Sequence, residues 1–69
     1  MSTEEFIKML VAGGGRDIVP IIEGEKGSLY FEWGQDEKDL RPYIEVLEHV
    51  VNKQVEQYRK DSKILLLWK

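Results

Sequence analysis

The chain has no cysteine and only one histidine among its 69 residues. Without cysteine there are no disulfides and no thiolate metal sites. The same absence fits a reducing, intracellular compartment. It also bears on stability. A domain of this length buries only about 60% of its unfolded surface, and small scaffolds compensate with disulfides, a metal or a partner subunit. Of these supports, a partner chain is the one left open. His49 has Glu45 one helical turn before it and Lys53 one turn after it. A metal site needs three or four ligands, and that face supplies no others, so His49 reads as a solvated or boundary residue.

Other absences narrow the function. No apolar run approaches the roughly 20 residues of a membrane-spanning helix. Met1 to Lys8 carries Glu4 and Glu5 where a signal peptide would carry bases, so a cytoplasmic location and no membrane partner are expected. There is no G-x-x-x-x-G-K-[ST] and no G-x-G-x-x-G pattern. Ser2, Ser28 and Ser62 lie outside any nucleophile-elbow context. Glu45 and Glu48 read as partners of a helix dipole rather than a glycosidase pair. No catalytic residue, cofactor or metal is therefore expected, and the chain is read as a non-enzyme. No internal repeat, low-complexity tract or linker is evident, so residues 1–69 are taken as one domain.

What is present is a mixed, mildly acidic composition. A hydrophobic fraction of 42% with 33% charged residues fits a folded chain. A net charge of -3 argues against broad nucleic-acid binding. Bases do cluster late, at Lys53, Arg59, Lys60, Lys63 and Lys69. Their expected role is to complement a helix C-terminus.

The element pattern reads α-β-β-α-β. Ser2-Thr3-Glu4-Glu5 has capping-box spacing, and Phe6, Ile7, Leu10 and Val11 form a helical stripe that Gly13-Gly14-Gly15 stops. A short helix over 3–12 follows. Residues 18–22 are β-branched, and Pro20 places that strand at a sheet edge. Glu23 to Gly27 supplies a turn. Ser28 to Trp33 alternates, with Leu29, Phe31 and Trp33 inward. Asp39 is placed to cap a long amphipathic helix over 40–60 that carries Pro42 in its first turn. Its stripe runs Leu40, Tyr43, Ile44, Leu47, Val50, Val51, Val55 and Tyr58. Ile64 to Trp68 is a final strand. The expected fold is thus a small α+β domain with a three-stranded sheet in the order 1-2-3, the last strand entering parallel through a right-handed crossover.

Two features of that scheme point to a homodimer. The long helix overhangs its short strands, and the last strand is apolar on both faces, with Leu65 and Leu67 opposite Ile64, Leu66 and Trp68. Leu65, Leu67, Tyr58 and Tyr30 are the candidate interface residues. Within a monomer, helix 3–12 would instead have to cover Leu65 and Leu67. Gly14, Gly15 and Arg16 form a candidate anion contact, although the order helix–glycines–strand reverses that of working phosphate loops. The expectation is a small interaction or regulatory protein (an adaptor, subunit or inhibitor) of the compact kind found in viruses and mobile elements. The alternatives are a nucleic-acid-binding regulator using the basic end of the long helix, and a nucleotide or anion binder at Gly13–Arg16.

Overall fold

The computed structural model describes residues 1–69. Helix α1 spans Thr3–Gly13, strand β1 Arg16–Glu23, strand β2 Lys26–Glu32, helix α2 Arg41–Val51, strand β3 Glu56–Lys60 and strand β4 Lys63–Trp68. Neither helix is long and apolar enough to cross a membrane.

The first half forms as its residues dictate. The Glu5 amide donates to Ser2 Oγ and the Ser2 amide to Glu5 Oε1, both at 3.2 Å, so the capping box is complete. Gly14 ends α1 at φ 120°, a value that side chains rarely adopt. Strands β1 and β2 are joined by the two-residue turn Gly24-Glu25, with Gly24 at φ 61°. Strand β1 lies at the sheet edge, where the amide hydrogen that Pro20 lacks costs no ladder bond.

The second half departs from the sequence expectation. The helix over 40–60 and the three-stranded sheet are both wrong. Helix α2 stops at Val51. Asn52 takes the left-handed conformation (φ 55°, ψ 40°) and returns its amide to the Glu48 carbonyl. Glu48 Oε2 then accepts the Val55 amide at 2.9 Å and leads the chain into β3. The spacing of Val51, Val55 and Tyr58 suits a helix, but Asn adopts the left-handed state readily enough to end one. Asp61 (φ 55°) and Ser62 turn β3 back onto β4. The result is a four-stranded, wholly antiparallel sheet in the order β1-β2-β4-β3. The apolar strand expected at a parallel edge is an interior antiparallel one. Asp39 does not cap α2 as N-cap, since Leu40 holds that position. It accepts the Arg41 amide at 3.1 Å and pairs with the Arg41 guanidinium at 2.7 Å.

The same order, helix–strand–strand, therefore occurs twice. The closing pairs Glu23↔Lys26 and Lys60↔Lys63 are displaced by 37 residues (23 to 60, 26 to 63), and so are Leu29 and Leu66, which face each other across β2 and β4. Likewise Gly27↔Trp68 maps onto Ile64↔Phe31. A local two-fold axis thus passes through the sheet at the Leu29–Leu66 pair. Phe6 with Tyr43, Leu10 with Leu47 and Phe31 with Trp68 keep apolar character at matching positions.

Both helices lie on one face. Phe6, Leu10, Leu40 and Leu47 pack there against Leu29, Phe31, Ile64, Leu66 and Trp68. Trp33 joins the two halves. Its amide donates to the Ser62 carbonyl at 2.7 Å, its indole Nε1 to the Lys38 carbonyl at 2.8 Å, and its ring meets Phe31 and Tyr43 edge-on. At Gly13 a side chain would collide with the Tyr43 ring, so glycine sets how closely α1 approaches α2.

Asn52→Ala tests the revised helix end. Alanine in the left-handed region is expected to cost about 1 kcal/mol in urea unfolding, and Asn52→Gly to be neutral or stabilising. A helix continuing to residue 60 would give the opposite sign, because alanine is the best helix former.

Candidate interaction surface

Strand alternation sends half of the sheet away from the helices. That face carries Val19 and Ile21 from β1, Ser28, Tyr30 and Glu32 from β2, Lys63, Leu65 and Leu67 from β4, and Glu56, Tyr58 and Lys60 from β3. Direct cross-strand partners arrange them in rows. One row reads Val19–Tyr30–Leu65–Tyr58 and the next Ile21–Ser28–Leu67–Glu56. Charged residues flank these two rows, with Glu32, Lys63 and Lys60 at one end and Glu23 and Lys26 at the other.

All four interface candidates from the sequence, Tyr30, Tyr58, Leu65 and Leu67, fall on this one surface. Leu65 stands between the two tyrosines. Tyr58 reaches the surface from β3 rather than from a helix. Helix α1 does not cover Leu65 and Leu67, because its buried residues Phe6 and Leu10 pack on the opposite side of the sheet. Val19 (50% exposed) and Ile21 (57%) complete the apolar centre alongside Tyr58 (53%). Residues 18–22 read as an edge strand from the sequence, and Val19 and Ile21 are missing from the interface expected there. The signal was available, since the hairpin register places Val19 opposite Tyr30. Sheet faces in contact with water are normally polar, and between the charged ends of this one only Ser28 and Glu56 interrupt the apolar and tyrosine side chains.

The surface has relief. A hollow of about 290 Å³ is lined by Ile21, Lys26, Ser28, Leu67 and Trp68 among others. A second of about 260 Å³ lies over Leu65 between Tyr30 and Tyr58, with Lys60 and Lys63 at its margin. The three ion pairs of the chain are Arg16–Glu37, Asp39–Arg41 and Glu25–Lys53, and none joins two residues of this face. Lys60 faces Lys63 directly across β3 and β4, and like charges so placed repel.

The glycine loop is arranged differently. The Gly14 amide donates to the Val11 carbonyl at 3.1 Å and the Gly15 amide to the Leu10 carbonyl at 2.9 Å, so both are committed to closing α1. The Glu37 carboxylate lies against Gly14, and its Oε1 is 3.4 Å from Arg16 Nη1. The candidate anion contact thus holds the chain's own carboxylate. His49 is exposed in the last turn of α2. Arg59 and Lys60, expected at a helix C-terminus, stand on β3 instead.

Tyr58 offers a probe on the surface itself. Its hydroxyl donates to Glu56 Oε2 at 2.8 Å, and this hydrogen bond, with the nearby negative charge, raises the phenol above its ordinary value. Glu56→Gln removes the charge, and the expected result is a Tyr58 ionisation shifted to lower pH in an ultraviolet absorbance titration. An unchanged curve would contradict the contact.

Comparison with known proteins finds no matching family model, and no curated protein or solved structure that matches the chain significantly.

Proposed function

We propose that the chain is a non-enzymatic interaction protein that works through the open face of its sheet, and that it does so as a homodimer. The observation that carries this reading is the row Val19–Tyr30–Leu65–Tyr58, an apolar band across all four strands with no helix over it. Monomers rarely expose contiguous apolar patches beyond a few hundred Å². An apolar centre with a charged rim is the usual anatomy of a protein interface. Size argues the same way. A core of 11 buried residues is small, and an uncovered sheet face is where such a domain gains most by association. The adaptor, subunit and inhibitor roles all use a surface of this kind, and the cysteine-free composition suits a cytoplasmic setting.

A second reading rests on the opposed Lys60 and Lys63 beside Tyr30 and Tyr58. Aromatic rings on a sheet with cations at the margin suit single-stranded nucleic acid. Binding that weakens steeply with salt would favour this reading over the first.

Sedimentation equilibrium at tens of micromolar is expected to give a dimer mass. The double variant Leu65→Asp, Leu67→Asp is expected to sediment as a monomer while keeping its far-ultraviolet circular dichroism. A monomeric wild-type chain at that concentration would contradict the homodimer.

A further inference from the structure

We infer that two copies of this chain pack open face to open face about a two-fold axis that lies between the sheets, runs perpendicular to the strands, and sits level with the Leu29–Leu66 pair. The inference rests on the homodimer reading above and specifies its geometry.

Area limits how the two faces can overlap. The molecule's two longer dimensions, 32 and 22 Å, bound the face at roughly 700 Å², against about 800 Å² per partner in a standard interface. Only near-complete overlap approaches that size. Two sheets overlap completely when centred on each other, and the centre of this sheet is the level Pro20–Leu29–Leu66–Gln57.

The axis brings side chains of complementary size together. Turning one copy over about it sets each strand above its own equivalent with direction reversed. A residue just above the Leu29 level then meets the residue just below it. Tyr30 comes over Ser28 of the second copy, in the hollow lined by Ile21, Ser28 and Leu67. A large ring thus meets the smallest side chain of the face, twice. Leu65 meets Leu67, and Val19 meets Ile21. The Tyr58 hydroxyl meets Glu56, the group it already engages within its own chain.

The two ends of β2 carry opposite charges. Glu32 and Lys26 lie three residues either side of Leu29 on β2. Within one chain they are about 20 Å apart, too far to pair. Across the axis Glu32 of each copy meets Lys26 of the other, while Lys63 comes over Lys69 at the exposed rim, where water and salt screen the like charges. Packed sheets rotate by about 30°, which moves these end residues by roughly 5 Å, within the span of a lysine side chain. The competing centred arrangement has its axis along the strands. It would press the Glu56 carboxylate of each copy onto Ile21 of the other, removing a charge from water against a purely apolar side chain.

Charge exchange at Glu32 and Lys26 tests the geometry. Glu32→Lys alone sets two lysines together at both ends of the dimer, and Lys26→Glu alone sets two glutamates together. Each single variant is expected to dimerise about tenfold more weakly than wild type at low ionic strength. An equimolar mixture restores both opposite-charge contacts, and sedimentation is expected to show heterodimer at near wild-type affinity. Rescue on mixing would also show that both variants fold. Single variants that dimerise like wild type would overturn this geometry while leaving the homodimer standing. So would rescue of Glu32→Lys by Lys63→Glu but not by Lys26→Glu, which is the outcome of an axis along the strands. A monomeric wild-type chain, or a face occupied by single-stranded nucleic acid instead, would overturn the geometry and the homodimer together.

Discussion

The fold depends on one cross-strand contact, Leu29 opposite Leu66 at the centre of the sheet. Both side chains are fully buried. They sit on the strands that join the two helix–strand–strand halves, and the local two-fold passes between them. Antiparallel pairing at this point fixes the register of β2 on β4 from Gly27↔Trp68 to Glu32↔Lys63. A slip of one residue would exchange the two faces of the sheet. It would carry Ile64, Leu66 and Trp68 out of the helix-covered core and bring Leu65, Leu67 and a lysine in. The contact that builds the core therefore also decides which residues are left on the open face.

Legibility in the sequence followed the strength of local signals. Helix α1 announced itself through Ser2, Glu5 and the glycines, and the β1–β2 hairpin through β-branched residues, a turn and strict alternation. Strand β4 was visible as an apolar run. Strand β3 was hidden. Glu56-Gln57-Tyr58-Arg59-Lys60 is exposed along its whole length, so no buried residue imposes a period of two. Val51, Val55 and Tyr58 meanwhile continue the helical spacing of α2. The deciding residue was Asn52, whose left-handed backbone outweighs that spacing. Losing β3 concealed the duplication as well, because the second half then lacked a strand. The repeat is also muted at residue level, with Ser2 matched by Asp39 and Gly27 by Ile64.

The surface was more legible than the fold. Leu65 and Leu67 stood out because a strand apolar on both faces needs two covers, and the helices supply only one. An interior strand carries that need as much as an edge strand does. Tyr58 reached the same surface through a different element from the one assigned to it. The glycine loop drew attention by composition, yet its amides close α1 and its arginine pairs with Glu37. Composition there marked a helix end, and hydrogen-bond geometry was needed to see it.

What covers the open face is the central question for this molecule. Isotope-filtered nuclear Overhauser spectroscopy on a mixture of labelled and unlabelled chains measures this directly, because it reports only contacts between different copies. The account predicts intermolecular contacts between the Leu65 and Leu67 methyl groups, and between the Tyr30 ring and the Ser28 and Leu67 protons. Intermolecular contacts confined to exposed helix residues such as Val11, with none from Leu65 or Leu67, would contradict it.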